Sequence, residues 1–154
     1  MSDERDAAAY ASDITAARQR LLGFVARCSA DDWTARVLEG DPRPVGVVVD
    51  HVAHSYEYLA SWMREILAGR SPAVNPDVVD ELNAHHATQT EQVSQAEAAD
   101  HLRSSGDAIA ALVAGLDQGD LDAGDGRVRR LAEVAIRHAN GHRSELEAAL
   151  AASG

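Results

Sequence analysis

The chain has 154 residues, 45% of them apolar and 25% charged, with a formal net charge of −11. Phosphate backbones and anionic membrane surfaces need clustered Lys and Arg, so this balance excludes nucleic acid and membrane surfaces as partners. The sequence contains no lysine, which excludes Schiff-base and lysine general-base chemistry.

The length fits one domain over residues 1–154, with a core that needs no disulfide staples. Aromatic residues make up only 4%, so that core must be built from Leu, Val, Ile and Ala, which suits closely packed helices. Cys28 stands alone, so no intrachain disulfide is expected, as in a reducing compartment. The opening "MSDERDAAAY" carries early acids and no apolar stretch, which does not read as a signal peptide. No apolar run approaches a membrane span. The expected location is the cytoplasm.

In chain order, Tyr10, Ile14, Ala17, Leu21, Phe24 and Val25 recur at helical spacing and predict a first helix from about Asp3 to Arg27. "SADDW" at 29–33 follows as a short turn capped by Ser29 and Asp32, and "LEGDPRPVG" breaks the chain. A second helix from about Val45 to Ala68 carries the stripe Val45, Val48, Val49, Val52, Tyr56, Leu59, Met63, Ile66 and Leu67. Gly69 is placed to end it, and Pro72 and Pro76 bar continuation. Asn75 and Pro76 open a third helical segment as N-cap and first turn. Its stripe is Val79, Leu82, His86, Gln89 and Val93, then Leu102 to Leu116. Ser94 and Glu97 form a capping-box pattern that predicts a kink or restart within it. "DQGDLDAGDGR" reads as a Gly/Asp loop. A fourth helix from about Arg127 to Ala151 turns Val128, Leu131, Ala135, Ala139, Leu146 and Leu150 inward. Nothing reads as a strand, so the fold class is all-α, a four-helix bundle.

Histidines are the chemistry-bearing residues. His138 and His142 are four apart and project from one helix face, with His142 inside the apolar stripe. A pair at this spacing can share a cation, but "HANGH" lacks the internal Glu of the H-E-x-x-H proteases, so that chemistry is excluded. A cation site needs a third ligand. His51, on the shoulder of the second helix's stripe, and the His85–His86 pair on the third helix are both open by geometry. His54 projects from the opposite face of the second helix and reads as solvated. His101 lies off the apolar line of its helix and reads as surface.

The stretches "DDWTARVLEGDPRPVGVVVDHVAHSYEYL" and "VRRLAEVAIRHANGHRSEL" resemble the DinB-like superfamily of metal-binding four-helix bundles, which includes the N-terminal domain of mycothiol-dependent maleylpyruvate isomerase. The shared pattern is a Trp-containing turn, a break, a helix with one histidine after a Val-rich first turn, and a last helix with H-x-x-x-H. The resemblance covers essentially the whole chain. It implies that His51, His138 and His142 hold a divalent transition metal, zinc or nickel, and that the protein is a homodimer. It also implies thiol S-transfer from mycothiol or a similar thiol to a small-molecule electrophile. The isomerase carries a second, C-terminal domain, so S-transfer rather than maleylpyruvate isomerisation is the expectation. The alternatives are a helical bundle that binds a metal or small ligand without turnover, and a metal-dependent hydrolase.

A cation on three neutral imidazoles keeps its full charge and can lower the pKa of a bound water or thiol. That gives a route to a nucleophilic thiolate without an enzymic cysteine, and Cys28 reads as structural or incidental. Groups that orient metal-bound imidazoles should accept their distal N–H; Glu145, three residues after His142, and Glu57, six after His51, are the candidates. Ser55, Tyr58 and Trp62, on the flank of His51, and His86 are the candidate pocket residues.

Overall fold

A computed structural model describes residues 5–153; the predicted start of the first helix at Asp3 lies outside them. The helices are α1 (Ala7–Arg27), α2 (Ala30–Thr34), α3 (Val45–Leu67), α4 (Pro76–Gln89), α5 (Gln95–Ala114) and α6 (Gln118–Ser153). No strand occurs among the described residues.

Local chemistry sets most of the boundaries. Asp6 caps α1 by accepting from the Ala9 N–H. Ser29 with Asp32 and Ser94 with Glu97 form reciprocal capping boxes that start α2 and α5. Asn75 caps α4 ahead of Pro76. At the end of α3, Gly69 takes φ +84°, its N–H bonds to the Ile66 carbonyl and the Arg70 N–H to that of Glu65. Those two bonds satisfy carbonyls that the helix end would leave unpaired. The predicted third segment is thus two helices, α4 and α5, divided where Ser94 restarts the chain.

One stretch differs from the sequence reading. The Gly/Asp-rich segment before the last helix is not simply a loop. Asp117 and Asp120 exchange side chain to backbone hydrogen bonds, and a helical turn from Gln118 buries Leu121 completely. The turn breaks at Ala123–Gly126, where Gly124, Asp125 and Gly126 take left-handed φ of 63°, 58° and 82°. Glycine reaches that region without steric cost and Asp tolerates it. Gly124 must also be small, because a Cβ there would meet the Ile66 side chain at 2.7 Å.

The long helices close into a ring. α1 packs on α5 and α6, and α3 packs on the same two, so α1 and α3 lie diagonally. α2 and α4 each pack on α3. This extra cover explains why α3 is buried nearly all round over its first half, Val45 to Ala53 without interruption. The predicted stripe holds, with Leu67 half-buried at its end.

Trp33 ties α2 to this frame. Its indole N–H donates to the Val93 carbonyl at 2.8 Å, and its ring lies so close to Gly46 that any Cβ there would overlap it. Gly46→Ala should therefore destabilise the fold by about 1–3 kcal/mol through overpacking. The gain in helix propensity, about 1 kcal/mol, offsets only part of this. Urea unfolding of the two proteins measures the difference, and an unchanged midpoint would refute the role given to the Trp33–Gly46 approach.

Candidate metal centre

α3 carries polar groups into a dry interior. Asp50, His51 and Ser55 are all buried, His51 to 2% exposure. Across from them α6 presents His138 and His142, four residues apart on one face. The His138 Nε2 lies 3.0 Å from the Nε2 of His51 and 3.0 Å from the Nε2 of His142. One ring nitrogen from each of the three falls within 4.8 Å of the others, as in a cation site. The ring centroids are 4.5–5.3 Å apart and the planes nearly perpendicular. Nitrogens about 2.0–2.1 Å from a shared ion stand roughly 2.9–3.4 Å apart for bond angles of 90–109°, and the two 3.0 Å separations at His138 fall in that range.

The charge state fits as well. Burial lowers the pKa of all three imidazoles, and their mutual repulsion when protonated lowers that of His51 and His138 further. His51 is held at about 2 and His138 at about 4. The rings are therefore neutral at physiological pH, the state in which imidazole is a ligand. Ser55 orders one of them. Its hydroxyl donates to the Val52 carbonyl at 2.6 Å and stands 3.3 Å from the His138 Nδ1. With its proton so committed, the Ser55 oxygen accepts from Nδ1–H, and the lone pair of His138 is left on Nε2, facing the other rings. His51 Nδ1 and His142 Nδ1 are buried without a partner.

A profile of the DinB superfamily matches residues 13–146. The chain belongs to the DinB superfamily. A solved structure named "Sibling Lethal Factor Precursor - DfsB" superposes with a TM-score of 0.77 over 98% of each chain at 15% identity, a likeness of fold. No curated protein matches the sequence significantly.

The remaining predicted residues of this DinB-superfamily chain fall into two groups. Glu145 Oε2 stands 3.9 Å from the His142 Nδ1, close but beyond hydrogen-bond length. Glu57 is not beside His51. It pairs with His101 Nε2, while His101 Nδ1 bonds Asp50 Oδ1 at 2.8 Å. His101 is thus not a free surface residue. Both its nitrogens face carboxylates, so both must donate, which requires the imidazolium. The Asp50 hydrogen bond raises its pKa, burial opposes this, and the Glu57 bond adds to the rise, to about 9. Burial pushes Asp50 up, but the bonds from His101 and His86 outweigh it and hold the carboxyl at about 2.

His86 gives its Nε2 to Asp50 Oδ2 at 2.7 Å and lies with its centroid 6.0 Å from that of His51. His54 is half-buried rather than solvated, because α4 folds over that face of α3 and stacks His86 on it at 5.0 Å. Tyr58 and Trp62 extend this ladder, at 5.5 Å and then 4.9 Å. His85 is exposed. Asp50 was legible only as an acid inside an apolar run, and its partners were not.

These shifts have opposite signs and separate pH windows. His101 is raised in the folded state, so its contribution to stability is complete below about pH 6.5 and lost as the pH climbs through 9. The depressed triad acts only below about 6.5, and the Cys28 thiol, pushed by burial to about 11 from an ordinary value of about 8.5, adds to the loss only at the top of that window. Between pH 6.5 and 9 the metal-free protein should lose stability, and His101→Gln should flatten the slope. Denaturant midpoints across that range check this; equal slopes would refute an imidazolium at His101.

Proposed function

We propose that the protein is a divalent-metal-dependent thiol S-transferase, using a mycothiol-type thiol and a small electrophile, with His51, His138 and His142 as the metal ligands. The observation that supports it most is the approach of three neutral Nε2 atoms to one point in a buried setting. A zinc or nickel ion bound there supplies Lewis acidity that favours thiolate over thiol.

This chain's residues then hold and shape. Ser55 keeps the His138 lone pair aimed inward. Glu145, its Oε2 3.9 Å from the His142 Nδ1, stands where a group that accepts that N–H and orients the ring would stand. Tyr58 and Trp62 offer a half-buried aromatic flank for the electrophile. The nucleophilic sulfur comes from the cosubstrate, because Cys28 is held in the thiol form by burial and the nearby Asp32. In the reaction the cosubstrate S–H proton passes to solvent, an S–C bond forms and the electrophile's leaving group departs.

Nickel or zinc at a hundredfold excess over its dissociation constant should stabilise the fold by about 2.7 kcal/mol, and His138→Ala should abolish that gain. Stabilisation that survives the substitution would rule out the triad as the site. Ser55→Ala should keep the fold but weaken metal binding about 10–100-fold, read by competition with a chromophoric chelator. For turnover, metal-loaded protein should release halide from a halo-aromatic only when mycothiol, bacillithiol or glutathione is present. Release of acid from an activated ester with metal but no thiol, and no conjugation, would instead make it a metal-dependent hydrolase.

A further inference from the structure

A cavity of about 470 Å3 opens between the link from α2 to α3 and the turn from α4 to α5. That is within the range of about 300–1,000 Å3 usual for small-molecule sites. No triad residue lines it. A second hollow of about 230 Å3 adjoins it and shares Arg36, Pro44, Val47 and Glu91 with it. Trp33, Pro44, Val47 and Val93 give the larger cavity apolar walls. The bond from the Trp33 indole N–H to the Val93 carbonyl ties its two sides together.

Two opposite charges line this space, and neither has a charged partner among the described residues. Arg36 gives its Nη1 to the Pro42 carbonyl, which leaves its charge uncompensated. Glu91, exposed in the turn, has no ion pair and no hydrogen-bond donor. Both side chains line both hollows, yet they stand beyond ion-pair distance of one another. A third group joins them. In the first turn of α3 the Val45 N–H bonds to the Ala35 carbonyl, and those of Val47 and Val48 bond to that of Pro44. The Gly46 N–H has no acceptor, and the N-cap Pro44 brings no side-chain oxygen to serve it. Gly46 lines the cavity, at a helix end whose free donors favour an anion.

The charges select the ligand. A carboxylate alone would meet Arg36 and Gly46 but be repelled by Glu91. An amine alone would meet Glu91 but be repelled by Arg36. Only a molecule with both signs complements both groups, and the apolar walls suit a hydrocarbon side chain on it.

We propose that this cavity binds an α-amino acid with an apolar side chain, its carboxylate on Arg36 and the Gly46 N–H and its ammonium on Glu91. The site is separate from the metal centre and does not depend on the reading given for it.

The test reads the indole N–H cross-peaks of 15N-labelled protein, with Trp33 as reporter and Trp62 as internal control. Three ligands are titrated: L-leucine, 4-methylpentanoate, which lacks the ammonium, and 3-methylbutylamine, which lacks the carboxylate. Leucine should move the Trp33 peak saturably and leave that of Trp62 in place; no saturable movement overturns the proposal. Leucine should also bind about 10–100-fold more tightly than either single-charge analogue. Equal binding of the three would make the cavity an apolar hollow without charge recognition and overturns it as well. Arg36→Gln should erase the margin over the amine, and Glu91→Gln the margin over the acid. Both side chains are exposed, so the fold should survive, and a margin that persists in the folded variant counts against the residue's assignment. Should either variant not fold, the wild-type titrations decide alone.

Discussion

A helix surrounded on every side has no solvent to hydrate its polar side chains, and the first half of α3 is in that position. An unpaired polar group there costs on the order of 1–3 kcal/mol, and the acid and imidazole it carries inward meet partners on other helices. Asp50 takes its partners from α4 and α5, through His86 and His101. His51 and Ser55 take theirs from α6, through His138. The polar interior of one helix thereby fixes which neighbours lie against which of its faces. Apolar packing by Val and Ala alone would tolerate sliding, since volume-conserving swaps cost little and specify little.

The same side chain serves in two opposite states on either side of Asp50. The triad imidazoles face one another, so burial and mutual repulsion keep them neutral and leave them as lone-pair donors. His101 faces two carboxylates and is held as a cation. Asp50 separates these worlds. It absorbs the charge of His101 on one oxygen and engages His86 on the other, leaving the adjacent His51 free of any acidic partner. A carboxylate beside His51 would have drawn it towards the protonated form.

How much of this could be read from the chain depends on whether the cause is local. Capping residues are local, so Ser29, Asn75 and Ser94 marked helix starts that the structure has. His138 and His142 were legible because a four-residue spacing within an apolar stripe fixes both direction and burial. His51 needed the resemblance, since the helix alone left His85 and His86 equally open. The companions of Asp50 and the burial of His54 were not legible at all. They exist because α4 folds back over α3, a packing choice that no periodicity within either helix encodes. Glu57 was read with His51 by spacing, yet it belongs with Asp50, seven residues and two turns away on the same face.

The scarcity of aromatic residues leaves two indoles, and they sit in contrasting surroundings. Trp33 is 6% exposed and wedged against a helix backbone. Trp62 is half-buried at the end of the His54–Tyr58 ladder, its ring 4.9 Å from that of Tyr58. The intrinsic emission of the folded protein should accordingly be a sum of two components, a blue one from the α2–α3 junction and a redder one from the histidine-bearing flank. The chain thus carries its own pair of reporters, one for the frame and one for the neighbourhood of the site, with no label added.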